Sequence, residues 1–381
     1  MSGRFGARNH VIWLEALRAA RISRSICAME NNEFTPFTIN VTNLETGAEV
    51  PVQVRDRGAD QFAARLKKVA KDRRKWARKN DISCYRMYDA DLPDYALAID
   101  RYDGVWKSEG ESYLCIAEYQ APKSVDPERA RMRLEDAVAI ASAVLAVPRE
   151  RVFLKTRRHE RGGGQYTDQQ KDACIMYTQE SGNVFEIDLG SYLDTGIFLD
   201  HRITREMVGQ MAEGKRFLNL FAYTGTATVH AAVGGAKSTL TVDLSQTYLA
   251  WAARNMELNG CDGPEHGFVR ADVLQWIVRA CREKPRFDLI FVDPPTFSNS
   301  KAMGKNTWSV QRDHVMLLSH VVRLLAPGGE AVFSCNLRNF KPDYEALAAA
   351  GVAIEDITAQ TIPYDFARNP KIHCCFKVRR A

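Results

Sequence analysis

Residues 287–297 read FDLIFVDPPTF, and residues 217–225 read FLNLFAYTG. Each segment begins as a short apolar run and ends abruptly in turn-forming residues, which is typical of a strand buried on both faces of a parallel sheet. In such sheets, ligands bind at the carboxyl ends of the strands. The later segment ends in a carboxylate followed by two prolines, and the earlier one ends in a glycine that opens a helix. Together they predict a ligand site along one edge of an α/β sheet.

The composition is that of an ordinary globular protein. The chain has 381 residues, of which 45% are hydrophobic and 26% are charged, so it can form two domains. No apolar run is long enough to span a bilayer, and the N-terminus leads into no signal-peptide core, so we expect a cytoplasmic protein that does not associate with membranes. Nine cysteines without a Cys-x-x-Cys pair predict neither a disulfide framework nor a metal site.

The order of the predicted elements divides the chain into three parts. Strands and helices alternate strictly over residues 191–381, which predicts a parallel sheet covered by helices on both faces. Residues 59–190 mix strands with helices and predict a smaller α+β accessory domain. Residues 1–58 lack a consistent period, and we treat them as an N-terminal arm.

Basic residues concentrate between positions 65 and 79, where nine of them accompany one acidic residue. Apolar residues at helical spacing in this segment predict an amphipathic helix. A solvated surface helix usually mixes both signs of charge, so we favour a helix that contacts phosphates, which would make the accessory domain an RNA-binding one. The predicted RNA contacts on this helix are Arg65, Lys67, Lys68, Lys71, Arg74 and Arg78. A second basic cluster fits the same partner and comprises Lys155, Arg157, Arg158, His159 and Arg161.

Residues at the ends of three predicted strands favour a nucleoside-containing ligand. Gly225 opens a helix, and its backbone can approach a ligand because it has no Cβ. Asp243 ends the next strand, where a carboxylate can accept bonds from ribose hydroxyls. Asp272 ends the third, where it could meet an adenine amino group with Val273 against the ring. Each carboxylate, like Ser245, is also a good helix cap. A Gly-x-Gly-x-x-Gly fingerprint is absent, which weakens the case for a nicotinamide dehydrogenase.

The Asp-Pro-Pro turn predicts the place where the substrate binds. Pro294 and Pro295 stiffen the turn after Asp293 and remove two backbone donors, which leaves oxygen acceptors facing the pocket. Phe297 offers a face on which an extruded base can stack. The polar segment that follows, with Lys301, has the composition of a mobile flap over the substrate. The sequence therefore predicts methyl transfer from S-adenosylmethionine to a nucleic-acid base.

Several segments resemble, in order, the K half of the ribosomal RNA large subunit methyltransferase K/L family. The similar segments are residues 84–93, 192–202, 217–230, 241–245, 293–301 and 365–369. The resemblance covers roughly residues 60 to 381 and implies a Rossmann-like class I methyltransferase that uses S-adenosylmethionine. It implies methylation of guanine N7 in 23S ribosomal RNA, either free or in an assembly intermediate. Fused family members carry another methyltransferase half before this region, so a separate chain equivalent to that half is an expected partner.

The resemblance also implies that Thr195, Gly196, Asp200 and Arg202 help to line the cofactor pocket. The remaining predicted cofactor residues are Tyr223, Thr224, Gly225, Asp243, Leu244, Ser245, Asp272, Val273 and Asp293. The predicted catalytic residues are Asp293, Pro294, Pro295 and Phe297.

Cys335 suggests an alternative reaction, methylation of cytosine C5. It lies in a Phe-Ser-Cys-Asn sequence at the end of a predicted strand, and related cytosine-C5 methyltransferases carry a nucleophilic cysteine in a similar context. That chemistry requires a thiolate, because C5 of cytosine becomes nucleophilic only after addition to C6. A small buried cysteine is the commoner finding at such a position. A non-catalytic RNA-binding protein is a third possibility, although it leaves the carboxylates at the strand ends unexplained.

Overall fold

A computed structural model describes residues 35–119, 125–156, 172–283, 286–298 and 307–381. Three sequence predictions lie outside these residues: the first part of the N-terminal arm, the second basic cluster beyond Lys155, and Lys301. In the part of the chain that is described, no helix is both long enough and apolar enough to cross a membrane.

The described residues form seventeen strands and nine α-helices. The strands are β1 (Phe37–Thr42), β2 (Glu49–Val54), β3 (Cys84–Asp89), β4 (Leu97–Asp103), β5 (Ser112–Glu118), β6 (Val152–Thr156), β7 (Ile175–Glu180), β8 (Asn183–Asp188), β9 (Arg216–Leu220), β10 (Ser238–Asp243), β11 (His266–Arg270), β12 (Phe287–Val292), β13 (Phe297–Ser298), β14 (Trp308–Ser309), β15 (Leu325–Cys335), β16 (Val352–Asp356) and β17 (Cys374–Arg380). The helices are α1 (Ala59–Lys79), α2 (Pro127–Leu145), α3 (Arg202–Met211), α4 (Thr226–Val233), α5 (Gln246–Leu258), α6 (Val273–Glu283), α7 (Val310–Leu324), α8 (Tyr344–Ala349) and α9 (Thr358–Thr361).

The chain divides into two compact units, and their limits differ from the predicted boundaries at residues 58 and 190. The first unit contains the described parts of Met1–Lys71, Ala90–Ala96 and Tyr119–Val152. The second contains Asp72–Asp89, Leu97–Glu118 and the described parts of Phe153–Ala381. Strands β3, β4 and β5 therefore belong to the same unit as the large sheet. Their membership depends on contacts with distant parts of the chain, which the local sequence pattern does not predict.

In the first unit, part of the predicted arm is a regular element. Strands β1 and β2 form an antiparallel hairpin that packs on α2. Asp136 of α2 is buried, and its Oδ2 accepts from the backbone N–H groups of Arg55 and Asp56 at 2.8 and 2.7 Å. Tyr95 donates to Asp56 and stacks on Phe62 at 4.4 Å. Long-range contacts therefore hold in place the described part of the segment that was assigned to an N-terminal arm of residues 1–58.

In the second unit, the seven-stranded sheet has the order β11-β10-β9-β12-β15-β17-β16. The first five of these strands are parallel, and β17 is antiparallel to both of its neighbours. Leu220 lies opposite both Val242 and Val292. Because these strands end at the same level, Asp243 and Asp293 emerge at one edge of the sheet. The two carboxylates thus lie at the edge of the sheet where the sequence predicts a ligand site.

The apolar run in β12 is explained by burial on both faces. Ile290 and Val292 pack in a core that includes side chains of α6 and α7. Leu289 and Phe291 point to the other face and pack with side chains of α3 and α4. Successive residues of a strand face opposite sides, so every position must be apolar when helices cover both faces. The predicted α/β sheet with helices on both faces is therefore confirmed.

Buried ion pairs join four segments of the second unit. Arg205 of α3 donates to Glu180 of β7 at 2.6 and 2.7 Å, and both side chains are almost fully buried. The neighbouring Arg202 donates to Asp365 at 3.0 Å and to the backbone oxygen of Cys84 at 2.6 Å. Burial alone would raise the pKa of Glu180, but its ion pair with Arg205 holds that pKa well below the usual range. These groups therefore stay charged in the folded state.

We predict that Glu180→Gln lowers the free energy of unfolding by about 3–5 kcal/mol, because it leaves the charge of Arg205 buried without a partner. Urea unfolding monitored by circular dichroism measures this change. Arg379→Ala is the control, since it removes one side of an exposed ion pair with Glu330 and should barely shift the midpoint. Equal midpoints for the two variants would contradict the prediction.

Candidate active site

The turn from β9 into α4 has an unusual backbone. Phe221, Tyr223 and Gly225 all have a positive φ, at 57°, 52° and 71°. Such conformations are costly for residues other than glycine and cluster at ligand sites. A Cβ on Gly225 would lie 2.6 Å from the Cβ of Ala252, so the glycine is required by its packing on α5 as well as by its φ. The approach of a ligand to Gly225 stays a prediction, and its packing is a second reason for glycine at this position.

Asp243 stabilises this turn. Its Oδ2 accepts from the backbone N–H of Tyr223 at 3.0 Å, and its Oδ1 accepts from the backbone N–H of Ser245 at 2.8 Å. Burial raises the pKa of Asp243, and these bonds oppose the rise. A carboxylate has about four acceptor positions, so two can still receive the hydroxyls of a ribose. Ser245 also caps α5, and Leu244 between them is exposed.

Asp272 caps the helix that follows it. Its Oδ1 accepts from the backbone N–H groups of Leu274 and Gln275 at 2.9 and 3.2 Å. Val273 is buried in the core with Ile277. Of the two roles considered for Asp272, the structure therefore favours the cap, and the side chain of Val273 packs inward instead of facing a ring.

The Thr195–Gly196 segment, which the resemblance places at the cofactor pocket, contacts the β9–α4 turn. Thr224 donates to the backbone oxygen of Gly196 at 2.5 Å, and the Thr195 hydroxyl lies 3.0 Å from that of Tyr102. Gly196 has φ +104°, and a Cβ there would lie 2.5 Å from the indole of Trp251. Two segments about 30 residues apart therefore form one wall of the predicted cofactor site.

Asp200 and Arg202 lie in more enclosed surroundings than the resemblance suggests. Arg202 is 5% exposed and its guanidinium faces Asp365, so it positions the segment and does not face an open pocket. Asp200 lies 3.0 Å from Nδ1 of His373 and 3.5 Å from Nε2 of His201. Burial opposes ionisation of Asp200, but these two histidines outweigh it and hold the pKa of Asp200 well below its usual range.

The turn after β12 presents an aromatic ring to solvent. Trp308 is buried and donates to the backbone oxygen of Pro295 at 2.7 Å, so this oxygen does not face a pocket as expected. Thr296 donates to the side chain of Asn336. Phe297 is 67% exposed, although hydrogen bonds with Trp308 and Asn336 hold the turn that precedes it. Burial raises the pKa of Asp293, which begins the turn, and the nearby His201 opposes this rise.

Cys335 is fully buried and lies directly opposite Cys374 of β17. Interaction with the Cys374 thiol and burial both raise the pKa of Cys335 strongly. A thiol that is neutral and enclosed is a poor nucleophile. The structure therefore gives no support to the alternative that uses Cys335 as a nucleophile.

The basic residues of α1 fall into two groups. Three predicted RNA contacts are engaged within the protein: Arg65 donates to Asp91 at 2.7 Å, Lys67 donates to Thr42 at 2.7 Å, and Arg74 is buried. The other three predicted contacts on this helix are exposed, and with the exposed Lys75 they are spaced by three or four residues on one face of the helix. This basic stripe consists of Lys68, Lys71, Lys75 and Arg78.

The site can now be compared with known proteins. A family model described as S-adenosylmethionine-dependent methyltransferase matches residues 110–359. The chain belongs to this family. Its cofactor is S-adenosylmethionine, and the carboxyl edge of the sheet, with the β9–α4 turn and Asp243, fits an adenosyl group. The dehydrogenase alternative is thereby set aside.

Named relatives support the narrower resemblance. The chain is 52% identical over 330 residues to the ribosomal RNA large subunit methyltransferase K/L of Allochromatium vinosum and 50% identical over 320 residues to that of Methylococcus capsulatus. These matches cover 87% and 84% of this chain but 44% and 42% of the relatives, so the chain spans less than half of their length.

Solved structures confirm the fold. The methyltransferase SMU.776, solved in complex with SAH, is 23% identical, with a TM-score of 0.65 and coverage of 91% of this chain and 88% of that one. A methyltransferase from Streptococcus mutans gives the same TM-score at 22% identity, with coverage of 89% and 87%. The class I Rossmann-like architecture is therefore shown.

Sequence reasoning missed several residues of the site. His201 and His373 contact Asp200, Trp308 holds the Asp-Pro-Pro turn, and Asn255 donates to the backbone oxygen of Thr224 at 2.9 Å. These side chains come from the segment before α3, the residue before β17, the residue pair before α7, and α5. Local pattern carried no signal for His373, Trp308 and Asn255, because their partners lie 13 or more residues away in the chain.

We predict that Asp243→Ala weakens binding of S-adenosylhomocysteine roughly 10- to 100-fold, since charged hydrogen bonds contribute about 1.5–3 kcal/mol. Isothermal titration calorimetry measures the affinity. Asp343→Ala is a matched control, because Asp343 caps α8 by accepting from the backbone N–H of Ala346. If Asp243→Ala bound as tightly as the control, Asp243 would have no role in holding the cofactor.

Proposed function

We propose that this chain transfers a methyl group from S-adenosylmethionine to guanine N7 in 23S ribosomal RNA. The observation that carries the proposal is the exposed ring of Phe297, held just after Asp293 at the edge of the sheet where the cofactor turn lies. A large apolar ring kept in solvent by a braced turn is suited to stacking on an unpaired base. The similarity to relatives named ribosomal RNA large subunit methyltransferase K/L supports this choice of substrate.

Methylation of guanine N7 requires no acid–base catalysis from the protein. It carries an in-plane lone pair and no proton, so its attack needs no general base and depends on in-line placement at near-contact distance. S-adenosylmethionine supplies an electrophilic methyl group on its sulfonium. The remaining task of the protein is to hold the base and to tolerate the positive charge that develops on the ring.

Asp293 is suited to both tasks. The Watson–Crick edge of guanine presents N1–H and the N2 amino group, and a carboxylate can accept from both. The same negative charge stabilises the developing cation in a partly enclosed site. Adenine presents an acceptor at N1, which would repel this carboxylate. Asp293 therefore both positions guanine and selects it.

The basic stripe is suited to the phosphates of the same RNA. Lys68, Lys71, Lys75 and Arg78 extend their charges from one helical face, and none of them takes part in an ion pair within 4.0 Å among the residues that the structure describes. Contacts of this kind position an RNA without reading its sequence. The identity of the nucleotide, a separate partner chain and a cytoplasmic location stay predictions.

We predict that Asp293→Ala lowers kcat roughly 100-fold or more while changing the affinity for S-adenosylhomocysteine little, because the lost interaction is made with the base in the transition state. Tritium transfer from labelled cofactor to 23S rRNA lacking the modification, followed by mapping of the labelled nucleotide, measures both turnover and position. Asp288→Ala is the control, since Asp288 lies at the opposite end of β12 and pairs with Arg216 at 2.9 Å.

Unchanged turnover in Asp293→Ala would refute the role of this carboxylate. Label on a cytosine would favour the cytosine-C5 alternative in place of guanine N7. Tight RNA binding by the wild-type chain without label on any RNA would favour a non-catalytic RNA-binding protein.

We also predict that replacing Lys68, Lys71 and Lys75 together by alanine weakens RNA binding and flattens its salt dependence. Each lost phosphate contact should reduce the slope of log K against log salt by about 0.7–0.9. Filter binding at several salt concentrations measures the slope. Lys237→Ala is the control, because this exposed lysine precedes β10 at the opposite edge of the sheet. An unchanged slope in the triple variant would show that these lysines do not contact RNA phosphates.

A further inference from the structure

Two cysteines that the proposed reaction does not use face each other between β15 and β17. Cys335 is the last residue of β15 and Cys374 is the first residue of β17, and they lie directly opposite in the antiparallel pairing. Residues directly opposite in such a pair have their Cα atoms about 4.5–5.5 Å apart. A disulfide joins residues whose Cα atoms are about 4.4–6.8 Å apart, so the backbone already has the spacing that a bridge requires.

The side chains of both cysteines point to the same face of the sheet. Cys335 belongs to the core that includes side chains of α6 and α7, and Cys374 packs against this core. The adjacent Cys375 points to the opposite face, where it packs with Val332 and Leu289. Both Cys335 and Cys374 are free thiols. Their two sulfurs can therefore meet between the strands, whereas the sulfur of Cys375 is directed away from Cys335.

The two thiols differ in exposure and in acidity. Cys335 is fully buried, whereas Cys374 is partly exposed. Contact with the Cys335 thiol lowers the pKa of Cys374, and the same contact together with burial raises the pKa of Cys335. Oxidants react with the thiolate form of a cysteine and need access to it. Cys374 is therefore the thiol that reacts first, and Cys335 keeps its proton beside it.

We propose that Cys335 and Cys374 are a reversible oxidation site, where hydrogen peroxide produces a disulfide between β15 and β17. The Cys374 thiolate attacks one oxygen of the peroxide, the O–O bond breaks, and hydroxide leaves, which gives a sulfenic acid at Cys374. This step removes the negative charge beside Cys335. The Cys335 sulfur then attacks the Cys374 sulfur, the S–O bond breaks, and the hydroxyl group leaves as water with the proton of Cys335. A dithiol reverses the bridge by thiol–disulfide exchange.

The bridge would form next to the turn that precedes Phe297. Asn336 directly follows Cys335, and its side chain accepts from Thr296 of that turn. The sequence analysis expected no disulfide framework because it considered cysteine spacing along the chain, whereas this pair arises from the register of two strands about 40 residues apart. Bridges in reducing compartments are usually transient, which fits a reversible site and not a structural one.

The test is peroxide treatment of the full-length chain, followed by alkylation of free thiols under denaturing conditions and mass spectrometry. The nine thiols of the reduced chain should fall to seven, and dithiothreitol should restore nine. Without a reductant, trypsin should release residues 324–338 joined to residues 372–377. Cys374→Ser should lose this joined peptide, and in Cys335→Ser the sulfenic acid at Cys374 should persist and react with dimedone. Cys261→Ser is the matched control, since Cys261 is also partly exposed, and it should form the bridge like the wild type.

Three results would overturn the proposal. One is the persistence of all nine thiols after peroxide treatment of the wild type. The second is a sulfenic acid at Cys374 of the wild type without the joined peptide, which would show that the two sulfurs do not meet. The third is the joined peptide in Cys374→Ser, which would assign the bridge to Cys375. Circular dichroism shows whether each serine variant folds. Since none of these measurements uses methyl transfer, their outcome is independent of the proposed function.

Discussion

The active site depends on two adjacent buried ion pairs, Arg205 with Glu180 and Arg202 with Asp365. Removing four charges from water is expensive, so these pairs persist only because each carboxylate receives several well-directed donors. The backbone N–H of Arg86 also donates to Asp365 at 2.9 Å. These bonds fix the positions of four segments relative to one another: β3, β7, α3 and the segment before β17. That arrangement brings the turn before α3 to the edge of the large sheet.

At that edge, strained and polar groups replace the apolar pattern of the strands. Three residues with positive φ follow β9, and the carboxylate of Asp243 holds them by accepting from the backbone N–H of Tyr223. A second turn follows β12, where Trp308 holds Pro295 and leaves the ring of Phe297 in solvent. Local strain of this kind persists because the surrounding structure determines the backbone more strongly than residue preference does. The result is a strained turn after β9 and an exposed aromatic ring after β12 at the same edge of the sheet.

Several roles assigned from pattern changed once the packing was known. Gly225 was expected to admit a ligand, and it is also required by packing because a Cβ there would collide with Ala252. Asp272 acts as a helix cap, and Arg65 and Lys67 of the basic helix are engaged with neighbouring side chains. The cap of Asp272 is local, whereas the contacts of Gly225, Arg65 and Lys67 are with residues far away in the chain. Spacing along a helix or strand predicts which face a side chain occupies, and it does not predict what lies opposite that face.

The amino-acid sequence by itself determined the alternation of strands and helices, the sheet edge where Asp243 and Asp293 lie, and the family, because these follow from apolar periodicity and from short motifs whose chemistry is local. The tertiary structure alone decided that β3 to β5 belong with the large sheet, that Cys335 is enclosed, and that Asp200, His201 and His373 meet. Each of those outcomes joins residues far apart in the chain. Burial, ion pairing and the direction of a hydrogen bond are properties of two groups together, and only the folded chain brings the two into contact.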